Sequence, residues 1–204
     1  MDNHLRSILL IIFFLVTLFA SGQSAECTLK KEKDGIKVYT CKSDTSKFRS
    51  LKAEFTINNT SLENLKTFLF TVPTYMKWQY NVLEATLVKS INDHEMIYRV
   101  VIDAPWPLDN REMIVRFTAV IHDQDHANFY INTIASDIPQ QDDLVRIPYS
   151  TASWTIVRMN NVLQVTYKMN INPGGYVPPL LVNMAMADGP HQSFRNLKRL
   201  LEAK

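Results

Sequence analysis

The sequence lacks the features that mark several large classes of protein. Only 5 of its 204 residues are glycine, and no stretch has a biased composition, which argues against disorder and long linkers. The net charge is only +2, and the basic residues are scattered, which argues against a nucleic-acid partner. There is no internal repeat. The length predicts one domain, large enough to bury a core and enclose a cavity.

Motifs for catalysis and metal binding are also missing. There is no G-x-S-x-G, no phosphate-binding glycine loop and no H-E-x-x-H. The most metal-like cluster, His122–His126, lies at a predicted hairpin turn, where Asp is favoured by turn geometry. His191 is expected to be a partly buried, hydrogen-bonded imidazole. The carboxylates Asp103 and Glu112 fall on outward strand faces. The sequence therefore predicts no enzyme activity, no metal and no cofactor.

The N-terminus has the pattern of an export signal. Arg6 precedes an almost unbroken apolar run over Ile8–Ala20, and small residues follow it before Gln23. This pattern predicts a signal peptide over residues 1–22 and a mature domain over residues 23–204, secreted or periplasmic after cleavage. A membrane anchor is the weaker alternative, because a span needs roughly 20 apolar residues.

The sequence contains two cysteines, Cys27 and Cys41, and an oxidising compartment favours their pairing. The segment Lys33-Asp34-Gly35 suits a three-residue hairpin loop with glycine in the left-handed position. In that register the two cysteines face each other, which allows a cross-strand disulfide. A two-residue loop would place them on opposite faces. Two free buried thiols are the alternative.

Apolar periodicity gives the order of elements along the rest of the chain. After the first hairpin it predicts a strand, a helix starting at Ser61, six strands in three hairpins, and a final helix. The two-residue turn Asn160-Asn161 places Trp154 opposite Tyr167 on one face. The polar segment 136–148 is predicted to be a surface loop. This order indicates an α+β fold with an antiparallel sheet covered on one face.

The final helix is predicted from a switch to helical spacing. Apolar residues recur at three- and four-residue steps from Leu180 to Leu201. The pair Gly189-Pro190 lies inside this pattern and should kink or break the helix.

The stretch Met96–Phe117 contains two alternating strands joined by a loop with the sequence Pro105-Trp106-Pro107. The prolines cannot donate ladder hydrogen bonds, so the strands must break there. A tryptophan held between two prolines at a loop tip suggests a contact with something apolar. The following strand begins with Asn110-Arg111-Glu112.

This segment resembles the START family, the lipid-transfer domains related to steroidogenic acute regulatory protein. The resemblance rests on Pro105, Pro107 and Asn110-Arg111-Glu112, with Glu for the family's Asp, and continues through Asn172–Pro178 into the final helix. It implies a helix-grip fold, in which a curved antiparallel sheet wraps a long C-terminal helix around an internal cavity. It also implies lipid binding or transfer without chemistry.

The cavity would be lined by aromatic and methionine residues on inward faces. Core packing is the alternative role for each one taken singly. As a set, apolar residues with a few hydroxyls are typical of a small-ligand site. START domains often carry a charged side chain where this chain has Phe117, which favours a neutral, apolar ligand. The predicted ligand-binding residues are Tyr98, Met113, Phe117, Trp154, Tyr167, Met169, Leu180 and Met184.

The sequence therefore predicts a domain that binds one hydrophobic molecule, with a lipid as the expected class, for carriage or transfer in the periplasm. The loop Pro105-Trp106-Pro107 is the predicted gate, with transient membrane contact as its open state. The alternative for Trp106 is a permanent plug packed on Leu180 or Met184. Two other functions stay open: a helix-grip enzyme, such as a cyclase or hydrolase acting on a hydrophobic substrate, and a protein-interaction module with a filled core.

Overall fold

The computed structural model describes residues 26–43, 46–178, 182 and 186–203. Across these residues the strands are β1 (Cys27–Lys33), β2 (Ile36–Cys41), β3 (Ser50–Asn58), β4 (Val82–Asn92), β5 (Glu95–Ile102), β6 (Asn110–Ile121), β7 (His126–Thr133), β8 (Leu144–Arg146), β9 (Tyr149–Met159) and β10 (Val162–Asn172). The helices are α1 (Leu62–Phe70), α2 (Tyr75–Trp78) and α3 (Asp188–Glu202), with a 3-10 turn at Val72–Thr74. No described helix is long and apolar enough to cross a membrane.

The strands form one sheet in the order β1-β2-β3-β10-β9-β7-β6-β5-β4, and β8 pairs with β6 outside this path. The sheet curls around α3, which packs on its concave face. Phe194 of α3 stacks on Phe55 of β3, with ring centroids 4.6 Å apart. Leu197 and Leu201 of the same helix are buried. The predicted α+β helix-grip architecture is therefore confirmed.

The last hairpin has the predicted register. Asn160 and Asn161 have positive φ angles of 48° and 64°, as a two-residue hairpin turn with the favoured twist requires. Trp154 pairs with Tyr167 in the antiparallel ladder that runs the full length of β9 and β10. Because side chains alternate between faces, this register also fixes which residues of both strands face the helix.

The first hairpin has the predicted cysteine pairing but not the predicted turn. Its turn has two residues, Asp34 and Gly35, both with positive φ, so the predicted three-residue loop is wrong. The register then shifts between Leu29 and Lys31. This bulge adds one residue to β1 and returns the cysteines to the same face. Cys27 and Cys41 lie opposite each other and form a disulfide, as predicted.

Helix α1 begins where its N-cap residue predicts. The Ser61 hydroxyl accepts a hydrogen bond from the Asn64 backbone N–H at 3.1 Å, which satisfies one of the free donors of the first turn. Leu62, Leu65 and Leu69 form the buried face of the helix. This face closes one end of the core beside the sheet.

Helix α3 begins at Asp188, and a turn at Met186-Ala187 separates it from the helical residue Val182. Of the two predicted effects of Gly189-Pro190, a kink or a break, the structure shows a break, and both residues lie in the first turn of α3. Proline is well tolerated there, because a first-turn N–H has no intrahelical acceptor. The predicted start at Leu180 lies outside the described residues.

The segment 136–148 is more than the predicted surface loop. It contains β8, which pairs in parallel with the first residues of β6. Leu144 and Ile147 are buried, and the Ile147 N–H donates to the Glu112 carbonyl oxygen at 2.9 Å. The segment therefore adds a short strand to the sheet beside the first residues of β6.

Candidate ligand cavity

A cavity of about 280 Å³ lies between the concave face of the sheet and the N-terminal half of α3. Strands β4, β5, β6, β7, β9 and β10, the end of α2 and the link after it supply its other walls. The lining residues are Trp78, Gln79, Tyr80, Val82, Tyr98, Ile102, Met113, Val115, Ile131, Ser150, Ala152, Trp154, Tyr167, Met169, Ile171, Gly189, Pro190, Ser193 and Phe194. They are mostly apolar or aromatic, and none of them carries a charge.

The structure brings most of the predicted ligand-binding residues to this cavity. Those that line it are Tyr98, Met113, Trp154, Tyr167 and Met169. They come from four different strands, and strand alternation turns all of them toward the helix. Their position is that of a ligand site, while contact with a ligand stays a prediction.

Three predicted residues are not found in the cavity lining. Phe117 packs in the core between Phe70 of α1 and Phe129 of β7, with ring centroids 4.8 and 5.7 Å away. Its inward orientation is as predicted, but α1 packs on it and it is not among the described lining residues, so its contact with a ligand stays a prediction. Leu180 and Met184 lie outside the described residues.

The end of α2 and the link after it contribute lining residues that the prediction missed. Trp78 is buried, whereas Tyr80 is 44% exposed and lies where the cavity meets solvent. The Tyr80 N–H donates to the Ser193 Oγ at 2.9 Å, which ties the link to α3. A Cβ atom at Gly189 would lie only 3.2 Å from the Tyr80 ring, so the absence of a side chain permits this close packing. The cluster of aromatic residues over 75–80 was the available sequence signal.

The polar groups of the cavity are uncharged. Burial raises the pKa of the Tyr98 phenol above its usual value, and a hydrogen bond with Tyr75 opposes this shift only in part. Burial and the nearby Tyr98 phenol raise the pKa of Tyr167 in the same direction. Both hydroxyls are therefore neutral at physiological pH, and they offer hydrogen bonds without charge.

His191 is not among the described residues that line the cavity. Its buried ring places Nε2 3.1 Å from the Lys33 carbonyl oxygen, on the side of the first hairpin. Asp34 lies farther away, with its Oδ2 3.8 Å from the same nitrogen. The imidazole is thus the buried, hydrogen-bonded group that the sequence indicates, and it connects α3 to the β1–β2 turn.

Glu112 is on the outer face, as predicted, but it is fully buried there. Its carboxylate accepts hydrogen bonds from Arg99 Nε and Arg146 Nε, each at 2.8 Å. Burial alone would raise the pKa of this carboxyl, but the two guanidinium groups outweigh burial, and the pKa lies below its usual value. The cluster fastens the 136–148 segment to the sheet. Opposite charges at Arg99 and Glu112, on the outward faces of the neighbouring strands β5 and β6, were the sequence signal for it.

The predicted gate loop lies next to the cavity in the chain. Ile102, the last residue of β5, lines the cavity, and the loop follows it directly. The Ala104 N–H donates to Asn110 Oδ1 at 3.1 Å, which closes the base of the loop. Trp106 is 93% exposed. The alternative in which Trp106 is a permanently buried plug is therefore wrong, because nearly all of the residue is exposed.

A second concavity, of about 420 Å³, lies between residues 43–49 and the facing ends of β9 and β10, where Tyr149 and residues 170–172 line it. Most of its walls are polar, including Ser43, Asn170 and Asn172. It lacks the apolar surface that a hydrophobic ligand needs, so the smaller cavity beneath α3 is the better candidate site.

A curved antiparallel sheet that grips a C-terminal helix over an apolar cavity is the arrangement of START domains. The chain is similar to a solved STAR-related lipid transfer protein from Xanthomonas axonopodis, with 27% identity, a TM-score of 0.78, and coverage of 86% of this chain and 98% of the other. The human StAR-related lipid transfer protein 5 has the same fold, with 14% identity, a TM-score of 0.74, and coverage of 98% and 96%. The resemblance to the START family is therefore confirmed.

Comparison of sequences without structures says less about the family of the chain. The chain is 24% identical over 204 residues to an uncharacterised protein of Pseudomonas aeruginosa, an alignment that covers 98% of this chain and 100% of that protein. No protein-family model matches the chain.

Proposed function

We propose that the protein binds one hydrophobic molecule, a lipid, in the cavity beneath α3 and carries it through an aqueous compartment outside the cytoplasm. The observation that carries this proposal is the cavity itself, lined mostly by apolar side chains without a single charged group among the described lining residues. Burial is the mechanism: each methylene removed from water contributes about 0.8 kcal/mol. No bond needs to be made or broken.

The size of the cavity narrows the class of lipid. A volume of about 280 Å³ is at the lower end of the range of small-ligand sites, roughly 300–1,000 Å³. One acyl chain or a compact ring system matches this volume better than a lipid with two long chains. The similar Xanthomonas protein, described as a lipid transfer protein, supports lipid as the ligand class.

Two features support export and transfer. The Cys27–Cys41 disulfide is the kind of bond that persists in an oxidising compartment, as a periplasmic or secreted protein would meet. Trp106 is a large exposed apolar side chain on a loop beside the cavity, where it is available for contact with a membrane surface. We propose that the loop Pro105-Trp106-Pro107 is the gate for uptake and release.

Native mass spectrometry of the full chain, purified from a host that exports it, tests this function. We expect a complex that releases one small hydrophobic molecule on activation. Ala152 lines the cavity, so Ala152→Phe should fill it and abolish the complex while the variant still unfolds cooperatively. A wild-type protein that carries no ligand, and binds none from a panel of neutral single-chain lipids, would contradict the proposal. Chemical turnover of a bound lipid would favour the enzyme alternative.

A further inference from the structure

The two edge strands of the sheet differ in the residues at their bulges. At one edge, β1 has a single shift of register, and the residue that the register skips is Lys30. A bulge together with an exposed lysine is a common means of keeping an edge strand from pairing with another chain. At the other edge, β4 has three such shifts, and the skipped residues are Leu83, Val88 and Ile91. Both edges are therefore bulged, but only β1 has a charged residue at its bulge.

The three residues that the β4 register skips are apolar and open to solvent. Leu83, Val88 and Ile91 are 52%, 42% and 39% exposed, and Leu87 among them is 49% exposed. We call these four residues the β4 stripe. From its first residue to its last, the stripe is roughly 25 Å long on an extended strand. Every residue over 86–92 is exposed, so this part of the edge extends beyond the core. An exposed apolar surface of this size indicates a contact site.

The stripe begins beside the mouth of the cavity. Tyr80, which lies where the cavity meets solvent, comes shortly before β4 in the chain. Val82, the first residue of β4, pairs with Ile102, and both line the cavity. The Asp103 N–H, at the start of the gate loop, donates to the Asn81 carbonyl oxygen at 2.8 Å. The stripe and the gate loop therefore start at the same end of the cavity.

The β4 stripe is better suited to a membrane surface than to another strand. A strand partner needs a regular row of backbone hydrogen bonds, and three bulges in one strand interrupt that row. Binding to the interface of a bilayer needs no such row, because it depends on the apolar area that is buried. The two charged residues of β4, Glu84 and Lys89, have opposite signs, so the strand has no net attraction for an anionic surface.

We propose that the β4 stripe docks on the surface of a neutral lipid bilayer and brings the mouth of the cavity to the membrane. This inference rests on the proposed lipid-binding function and adds the surface through which the protein meets the source of its lipid. The gate loop by itself offers the exposed ring of Trp106. The stripe adds four apolar side chains along one edge of the sheet, so the docked protein lies with β4 against the membrane.

Sedimentation with vesicles of phosphatidylcholine tests the docking. The triple variant Leu83→Thr/Val88→Thr/Ile91→Thr removes apolar surface and keeps a residue type that favours strands. It should bind the vesicles at least about tenfold more weakly than the wild-type protein and keep its cooperative unfolding. Leu29→Thr is the matched control, because Leu29 is 45% exposed on the opposite edge strand, and this variant should bind like the wild-type protein. Since the contact is apolar, added salt or phosphatidylglycerol should change wild-type binding little.

Vesicles with brominated acyl chains show the contact directly, because bromine quenches the fluorescence of a tryptophan that it approaches closely. In a Trp106→Phe background, these vesicles should quench the fluorescence that Val88→Trp adds. The fluorescence that Leu29→Trp adds should not be quenched. This measurement decides the matter if the triple variant fails to fold.

The outcomes separate the docking surface from the proposed function. Equal vesicle binding by the folded triple variant and the wild-type protein, or equal quenching at positions 88 and 29, would overturn the docking surface. Binding that needs anionic lipid and is lost at high salt would also overturn it. A dimer that forms without vesicles, and that the triple variant dissociates, would assign the stripe to a second copy of the chain. A wild-type protein that carries lipid but binds no vesicles would overturn only the docking, whereas vesicle binding by a protein that takes up no lipid would contradict the proposed function itself.

Discussion

Trp154 of β9 and Tyr167 of β10 lie edge to face across the last hairpin, with ring centroids 5.3 Å apart and an interplanar angle of 72°. Phe194 of α3 contacts both rings, at centroid distances of 5.6 and 5.1 Å. All three residues also line the cavity. The aromatic group that joins the helix to the sheet is therefore also a wall of the candidate ligand site, so stability and binding are coupled here.

Replacing Trp154 by alanine tests this coupling. The ring is 2% exposed, and its removal leaves a void that the surrounding rings fill only in part. We expect Trp154→Ala to lower the free energy of unfolding by about 3–5 kcal/mol and to reduce ligand occupancy. Urea unfolding and native mass spectrometry measure the two effects. A variant that is destabilised but keeps its full ligand load would show that Trp154 is a core residue alone.

The gate hypothesis predicts a different result for Trp106. Because this side chain is 93% exposed, Trp106→Ala should change the free energy of unfolding by no more than about 0.5 kcal/mol. The variant should nevertheless exchange lipid with vesicles more slowly, since it loses an apolar contact with the membrane. Stopped-flow transfer of a fluorescent lipid measures the rate.

Met159 supplies the control for this experiment. It is 51% exposed at the far end of β9, beside the Asn160-Asn161 turn and away from the cavity lining. Met159→Ala should leave the exchange rate unchanged. Equal exchange rates for Trp106→Ala and the wild-type protein, or a large loss of stability in Trp106→Ala, would refute the gate.

The buried cluster around Glu112 should be important for stability. Glu112→Gln keeps the shape of the side chain but removes the carboxylate that Arg99 and Arg146 share, so that Arg99 keeps only its ion pair with Glu84. Breaking a buried ion pair in this way costs about 3–5 kcal/mol, which chemical denaturation detects. Glu63 is the control: it pairs with Lys66 at the surface and is 68% exposed, so Glu63→Gln should cost less than about 1 kcal/mol. Similar effects of the two substitutions would contradict the structural role of the cluster.

The lowered pKa of Glu112 predicts that the stability of the fold depends on pH. The pKa of Glu112 in the folded protein lies below the usual 4.5, so the unfolded chain takes up its proton first as the pH falls. Its contribution is therefore complete at neutral pH and is lost below about pH 4.5, as the pH falls through the folded pKa. Thermal melts between pH 7 and pH 3 should show a shallower acid decline in Glu112→Gln than in the wild-type protein. If the stability of both proteins falls in parallel with pH, other carboxylates would account for the loss of stability in acid.

Export and the disulfide can be checked on one sample. Protein secreted by its host should begin near Gln23, and its intact mass should show the two-hydrogen deficit of a Cys27–Cys41 bridge. Closing a loop of this length should stabilise the fold by about 3 kcal/mol, which a Cys27→Ala/Cys41→Ala double variant would lose. An uncleaved N-terminus would contradict the signal peptide, and two alkylatable thiols without reduction would contradict the bridge.

Local patterns in the sequence were sufficient to predict which residues share a strand face and how the last hairpin pairs. Alternation has a fixed period of two, and Asn160-Asn161 tolerates the positive φ angles of a two-residue turn, so the pairing of Trp154 with Tyr167 follows from short-range rules. The cysteine pairing was also predicted correctly, although the loop length behind it was wrong. A bulge between Leu29 and Lys31 compensated for the shorter turn, and the sequence carries no clear signal for it.

Tertiary structure alone determined which inward residues reach the cavity. Phe117 and Tyr98 both face inward on neighbouring strands, but α1 packs over Phe117 and leaves Tyr98 free to line the cavity. Glu112 likewise faces outward, yet β8 pairs beside it, and its carboxylate is buried between Arg146 of β8 and Arg99 of β5. Periodicity assigns a side chain to a face of a strand. Only the packing of distant segments on that face decides whether the side chain meets solvent, core or ligand.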